Sequence, residues 1–410
     1  MKIVVFSITP SVFNKETFFI AAVPSWASQW NATAKAHPEL DINIVTTLPG
    51  LFLYDTHEKE KYERNVHVTV LESGSPEEAA SVIEALSPDI AISASSWTFS
   101  LDWSPLNDSI TAELLKRKGI KTVCNTRELS MACFDKHMTH ILLERHSFKT
   151  PQYIYVNHEL YKADLSKCSA SVNAYREYIL SKLSDMAFPA IIKPVAGLSS
   201  QGLRVVSTAA EARTFLDSKR NGSDRIIEEY IDGVQAGLEI HGSKGKYTVL
   251  PPMAFSVTNF GITSPRQSMK TGPLSGGEYN LEKLYGEMNR LAETLCFTGC
   301  AQIDLVFSGG EWYIIEINSR LSGMTASYAA ALGTTVPEMI LQDAGVIQGE
   351  YKTMQSVVSK KIPVTSLETF TELKEKAAEN STSKAAVLFF DSEAKQEREK
   401  GYCEIITMNL

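Results

Sequence analysis

The sequence predicts a multidomain α/β and α+β fold, in which a doubly wound unit precedes hairpin-rich segments. Three observations carry this. From Lys2 to Lys121, the strand-like runs KIVVF, DINIVTT, HVTVL and DIAISAS are separated by helical patterns such as PEEAASVIEALS, where Ala79, Val82, Ile83 and Leu86 recur at helical spacing. From Phe188 onward, short apolar runs are joined by glycine-containing turns. Finally, 410 residues with 44% hydrophobic and 21% charged side chains suffice for two or three globular domains with a large core.

The first unit is expected to be a parallel α/β layer ending near Lys121. Its first strand is followed by SITPSVFN, without a glycine fingerprint, so a dinucleotide domain is not supported. A helix holding Asp135 and Lys136 comes next, expected to stop near Thr150 and Pro151 because proline cannot continue it. A strand over Gln152 to Val156 and a helix near Ala174 to Leu183 lead into FPAIIKPVAGLSSQGLRVV, Phe188 to Val206.

That stretch reads as a strand, Lys193 at its end, a loop carrying Gly197, Ser199, Ser200 and Gly202, and a second strand. A cation beside unobstructed backbone N–H groups and hydroxyls suits phosphate. The same residues also suit a plain flexible turn. The spacing matches neither GxxxxGK[ST] nor GxGxxG.

Beyond Val206, Ser207 is placed to cap a helix with Glu211 one turn inside. RIIEEYIDG then supplies a strand from Arg225 to Glu228, followed by acids and Tyr230. Leu281, Leu284, Met288, Leu291 and Leu295 step along one face of an amphipathic helix that Gly299 is expected to close. AQIDLVFSGGEWYIIEINSRLSG reads as a β-hairpin. With Gly309, Gly310 and Glu311 as its loop, Asp304 faces Glu316 and Gln302 faces Asn318. Alternation then puts Asp304, Glu316 and Asn318 on one face, with Ile303, Leu305, Ile315 and Ile317 on the other. Opposed carboxylates are destabilising unless a cation neutralises them. Two acids and an amide suit Mg²⁺, which completes its shell with water and substrate phosphate. A solvated hairpin face is the alternative, against which Arg320, next in phase, counts. From Tyr351 on, a helix over Leu367 to Glu379 and the strands AAVLFF and CEIITMNL suggest a small α+β appendage, supporting a substrate pocket or a dimer contact.

Composition excludes several functions. A net charge of −8 without a basic run disfavours nucleic acid as a partner. The N-terminal apolar run is too short and interrupted for a signal peptide, and no stretch reaches membrane-spanning length, so a cytoplasmic location is expected. Six dispersed cysteines fit free thiols in a reducing compartment. Cys296 and Cys300 read as buried small residues rather than zinc ligands, and His137 and His140 as a partly exposed helix face.

Taken together and in this order, the lysine of IIKPVAGLSSQG, the EEYIDG segment and the D...EIN(x)R hairpin resemble the ATP-grasp superfamily of carboxylate-amine ligases. The KPxxGxSSQG form looks most like the L-amino-acid ligases, which make dipeptides, with D-alanine-D-alanine ligases as relatives. The resemblance covers about residues 125 to 330 and implies an ATP-grasp fold preceded by a Rossmann-like domain. It implies the divisions 1–121, a linker region 122–189, a lid 190–255 that closes on nucleotide, a metal-binding part 256–350, and the appendage 351–410.

Residue by residue, the resemblance implies that Lys136 and Lys193 hold the nucleotide phosphates and that the loop Gly197, Ser199, Ser200, Gln201 and Gly202 closes over them. Glu228, Glu229, Tyr230 and Ile231 would line the adenine pocket. The ribose acid falls on Gln235, with Glu239 as substitute if the strand is shifted. Asp304, Glu316 and Asn318 would bind two Mg²⁺ ions, Mn²⁺ being an alternative. Arg320 would contact the moving phosphoryl group, with Lys270 as a second cation or a solvated loop lysine. Gln302 stands where D-alanine-D-alanine ligases carry an arginine, which argues against that activity and leaves Arg320 or Arg266 for the tetrahedral intermediate. The implied function is ADP-forming ligation of two amino acids through an acyl phosphate. A non-amino-acid carboxylate, a peptide, polyamine or amino-sugar acceptor, or a non-catalytic nucleotide-binding protein are the alternatives. Small-molecule substrates and a homodimer are the partners expected.

Overall fold

The computed structural model describes residues 1–410 except 11–12, 15, 57–61, 98–101, 168–169, 198–201, 258–259, 261–265, 381–382, 395–399 and 409–410. The N-terminal unit is a five-stranded parallel sheet ordered Val66–Val70, Asp41–Thr46, Lys2–Ser7, Ile90–Ser93 and Thr122–Val123. Its central strands are buried along almost their whole length because helices cover both faces, as parallel sheets require. Ile3 is in register with Ile42 on one side and Ile90 on the other. Helices Pro76–Ala85 and Ser104–Arg117 pack against each other beside Val4, Phe6 and Ala91, while Trp26 and Trp30 of helix Trp26–Ala36 pack with Ile3 and Val5. Thr122–Val123 extends this sheet past the expected end at Lys121.

A second, four-stranded antiparallel sheet runs Tyr153–Val156, Arg225–Glu229, Ala190–Pro194 and Arg204–Val206. The hairpin read around Lys193 is therefore present. The expected lid boundaries shift, because Tyr153–Val156 joins this sheet and Val234–Ser243 leaves it for the next. Thr208, not Ser207, caps helix Ala209–Asp217, with its hydroxyl accepting from the Glu211 amide. The single helix expected around Asp135 is two: Arg127–Phe134 and Lys136–Arg145, with Asp135 extended between them and capping the second through Met138 N. That second helix stops at Arg145, before Pro151 is reached.

The third sheet has ten strands, in the order Glu311–Asn318, Thr298–Ser308, Val234–Ser243, Met253–Phe255, Met269–Gly272, Val357–Pro363, Gly401–Met408, Ser383–Asp391 and Phe18–Val23, with Lys246–Val249 paired to Val234–Ser243. The C-terminal segment is thus not an appendage. Its strands continue the sheet because Val357–Pro363 offers both edges, one to Met269–Gly272 and one to Gly401–Met408. Phe18–Val23, unread in the sequence, leaves the N-terminal unit to cover the far edge. Helix Leu281–Leu295 buries Leu284, Met288 and Leu291 against Leu238, Ile240, Ile303 and Ile317. Each such side chain contributes about 1.5–3 kcal/mol by burial. Cys296, not Gly299, closes that helix, in the left-handed region and exposed. No helix among the described residues is long and apolar enough to cross a membrane.

Candidate active site

A cavity of about 300 Å³ lies where the four-stranded sheet faces the ten-stranded one. Lys136, Lys193, Gly197, Glu228, Glu229, Tyr230, Ile231, Gln235, Lys270, Asp304, Glu316, Asn318 and Arg320 all line it. Segments from Lys136 to Arg320 thus converge on one space. Ser199, Ser200 and Gln201 lie outside the described residues.

The acidic wall is the hairpin. Gly309 and Gly310 have φ of +58° and +81°, so they form a two-residue turn of the kind that needs positive φ at both central positions. The loop is one residue shorter than the sequence suggested, and Glu311 pairs with Ser308. A bulge after Asp304 restores the count, so Asp304 faces Glu316 and Gln302 faces Asn318 as expected. The bulge also corrects the apolar face: Ile314 enters the core in place of Ile315, which lines the cavity beside Glu316. Such an extra residue re-aims side chains next to sites.

Burial, then the charge of Glu316, raises the Asp304 carboxyl above the ordinary range. Asp304 Oδ1 accepts from Gln302 Nε2 at 2.6 Å, Gln302 Oε1 accepts from Asn318 Nδ2 at 2.9 Å, and Asn318 Oδ1 accepts from Arg320 at 3.1 Å. Lys136 Nζ stands 3.2 Å from Glu316. Two facing carboxylates and an amide oxygen, with one lysine nearby, form a donor set that fits a divalent cation.

The basic wall comes from the four-stranded sheet. Lys193 Nζ lies 2.5 Å from Glu228 Oε2, and the other Glu228 oxygen is 3.1 Å from His140 Nε2. Burial alone would raise the Glu228 carboxyl, but the Lys193 charge and the His140 contact outweigh it and hold the group at about 2. Glu228 therefore turns to Lys193, while Tyr230 and Ile231 remain on the cavity wall, with Tyr230 edge-on to Phe260. Glu229 accepts from the Gln152 amide at 2.9 Å. His140 is buried rather than partly exposed, and His137 stacks on Tyr155. Lys136 opens its helix at the cavity, where its amide donates to the Val195 carbonyl and its ammonium to Gly197.

Two sequence candidates sit elsewhere. Glu239 is fully buried, accepting from Ser322 and Thr325 and contacting His241 at 3.0 Å; it shares a strand face with Gln235 and pairs with Gln302, but these partners hold it beneath the cavity lining, from which it is absent. Arg266 donates to the carbonyls of Gly401 and Val364 and is absent from the cavity lining. Lys270 is no solvated loop lysine. It is a buried strand residue whose ammonium donates to Gly323 at 2.7 Å and to Glu404 at 2.5 Å. Cys300 is buried, as expected of a small apolar residue.

Sequence reading missed Asp102, which holds Arg320 Nε at 2.5 Å, and Trp97, Lys361 and Tyr402, which line the cavity. Asp102 lies 218 positions from its partner, in the segment after the fourth parallel strand. Its position beyond the carboxyl end of a parallel strand was the one available signal.

Residues 133–324 match the ATP-grasp domain family. That segment of the chain is an ATP-grasp domain. It is 27% identical over 209 residues to the D-alanine--D-alanine ligase of Coprothermobacter proteolyticus, covering 48% of this chain and 62% of that one, so it spans about three fifths of that relative's length. Among solved structures, an ADP complex of N5-carboxyaminoimidazole ribonucleotide synthetase superposes with a TM-score of 0.66 at 13% identity, covering 100% of this chain and 92% of that one. The L-amino acid ligase from Bacillus licheniformis superposes with a TM-score of 0.61 at 15% identity, covering 100% and 93%. These structural likenesses establish the fold.

Proposed function

We propose that the protein is an ATP-dependent, ADP-forming ligase that activates an amino-acid carboxylate as an acyl phosphate and couples it to an amine, making a dipeptide. The observation that carries this reading is the meeting of Lys136, Lys193, Asp304, Glu316, Asn318 and Arg320 on one cavity. Lys136 and Lys193 would bind the phosphates, Tyr230 and Ile231 would flank the base, and Gln235 would reach the ribose. Asp304, Glu316 and Asn318 would hold Mg²⁺ or Mn²⁺, which when bound screens phosphate charge.

A carboxylate is a poor electrophile, and transfer of the terminal phosphoryl group to its oxygen supplies a leaving group. Lys193 and Arg320 would stabilise the charge on that group as it moves, Arg320 being fixed by Asp102 and Asn318. The amine then attacks the acyl carbon and phosphate departs. Catalysis here is positioning and electrostatics. A ligase joining a different carboxylate or acceptor is the second reading, favoured by the fold's likeness to N5-carboxyaminoimidazole ribonucleotide synthetase along the whole chain.

The test is mass spectrometry of products, with ADP and phosphate release, for the protein with Mg-ATP and pairwise mixtures of amino acids. A dipeptide formed with ADP, and lost in Lys193→Ala and Glu316→Ala, is expected. AMP and pyrophosphate instead would overturn the acyl-phosphate route.

A further inference from the structure

The wall of the cavity opposite Lys193 carries charges that the ligase reading has not used. Strands Met269–Gly272, Val357–Pro363 and Gly401–Met408 lie side by side. Their register sets Lys270 beside Ser359, Lys361 beside Glu404 and Pro363 beside Tyr402. Because cross-strand partners share a face and alternate residues return to it, Lys270, Ser359, Lys361, Tyr402 and Glu404 stand on one side of the sheet.

Glu404 is the acid of that group, and its Oε1 is already occupied by Lys270 at 2.5 Å and by the Ser359 hydroxyl. Lys361 is left over. Its ammonium sits 4.1 Å from the centre of the Tyr402 ring, and among the described residues it forms no hydrogen bond or ion pair. Burial pulls its pKa down to about 8, with Glu404 opposing and Lys270 adding to the drop. Two lysines against one carboxylate leave an excess positive charge at a cavity wall. Arg320 does not change the sum, being matched by Asp102. A half-buried surplus cation facing a cavity is stabilised when an anion meets it.

We infer that Lys361, with Lys270 beside it and the Tyr402 ring beneath it, is a specificity subsite for a second anionic group on one substrate. That group is a carboxylate or phosphate in addition to the carboxylate that is activated. The inference rests on the ligase reading for its place in the reaction. The subsite itself rests on the sheet register and the unmatched ammonium. An acidic amino acid such as aspartate or glutamate, or a phosphorylated one, has the required chemistry, whereas a neutral isostere leaves the cation unmet.

The experiment measures ADP release with Mg-ATP and amino-acid pairs in which one member is aspartate, glutamate or phosphoserine, or the neutral asparagine, glutamine or serine. For the wild type, KM for an acidic member should be about tenfold or more below that of its neutral isostere, the scale of one charge-assisted contact. Lys361→Met should erase that difference and Lys361→Arg should retain most of it. Aspartate or glutamate giving the low KM identifies a carboxylate, and phosphoserine a phosphate. A wild type that prefers neutral members, or a preference that survives in Lys361→Met, overturns the subsite. If no pair is turned over, the ligase reading fails instead, and the subsite is read by binding. Glutarate and inorganic phosphate are then titrated against tryptophan fluorescence, Trp97 being on the cavity wall. Saturable binding of either anion that weakens in Lys361→Met upholds the site, and binding equal in both proteins, or none, removes it.

Discussion

The cavity has two buried lysine-glutamate pairs on opposite walls, each with a 2.5 Å contact: Lys193 with Glu228, and Lys270 with Glu404. The first joins residues 35 apart on neighbouring strands of one small sheet, with His140 behind the acid. The second joins residues 134 apart and exists because the last strands of the chain complete the large sheet. In the first pair one cation meets one acid. In the second, the acid is shared and a further lysine remains. A wall whose charges close on themselves supplies a fixed field, and a wall with a surplus charge awaits a partner.

The largest expected effect separates the walls by chemistry. Lys193→Ala should lower the rate of ADP formation by about 10²–10³-fold, the scale of removing one preorganised charge from a transition state. A fall below tenfold would mean that Lys193 only supports Glu228. Stability sharpens the same contrast. Glu228→Gln leaves Lys193 buried without its carboxylate and should cost about 3–5 kcal/mol in urea unfolding, while Lys193→Met combined with Glu228→Leu should recover much of that loss.

Acid is a gentler probe of the first wall. The Glu228 carboxyl is held at about 2, below its ordinary value of 4.5. Its stabilisation is therefore complete above pH 4.5 and lost as pH falls from there through 2. Urea midpoints should drop across that window in the wild type, and the drop should shrink in Glu228→Gln. The smallest effect belongs to the turn beneath the acids. Gly310→Ala places a Cβ at φ +81° and should cost about 1 kcal/mol, with no slip of the Asp304–Glu316 register. A larger loss of Mg-ATP-dependent turnover than of stability would show that the slip occurs.

Local pattern carried the first wall and the acidic hairpin. Lys193 beside a small-residue loop, the helix holding Lys136, and the facing of Asp304 and Glu316 follow from residues close in sequence, where alternation and turn chemistry decide geometry. The facing of the acids survived a turn one residue too long because the bulge supplied a compensating residue, which no local pattern distinguishes from a regular strand. Asp102, Glu404 and Lys361 were illegible for another reason. Their partners are set by which strand edges meet, and the sequence of a half-buried strand does not name its neighbour. The shift that would have brought Glu239 to the place of Gln235 is absent for the same cause, since strand Val234–Ser243 runs in regular register beside Thr298–Ser308 and leaves Gln235 in the cavity lining.

Strand Phe18–Val23 has a consequence in time. It pairs with Ser383–Asp391, which in turn pairs with Gly401–Met408. On a ribosome moving at about 5–20 residues per second, this strand would wait roughly 20–70 s for its partner to emerge. Through that interval Phe19, Ala21 and Val23, which in the finished protein pack with Val364, Phe370, Leu388 and Phe390, lack that cover. The parallel unit is synthesised before the ten-stranded sheet yet is completed only with it, so a nascent chain stalled short of residue 383 should remain a client for holding chaperones however well its parallel sheet has formed.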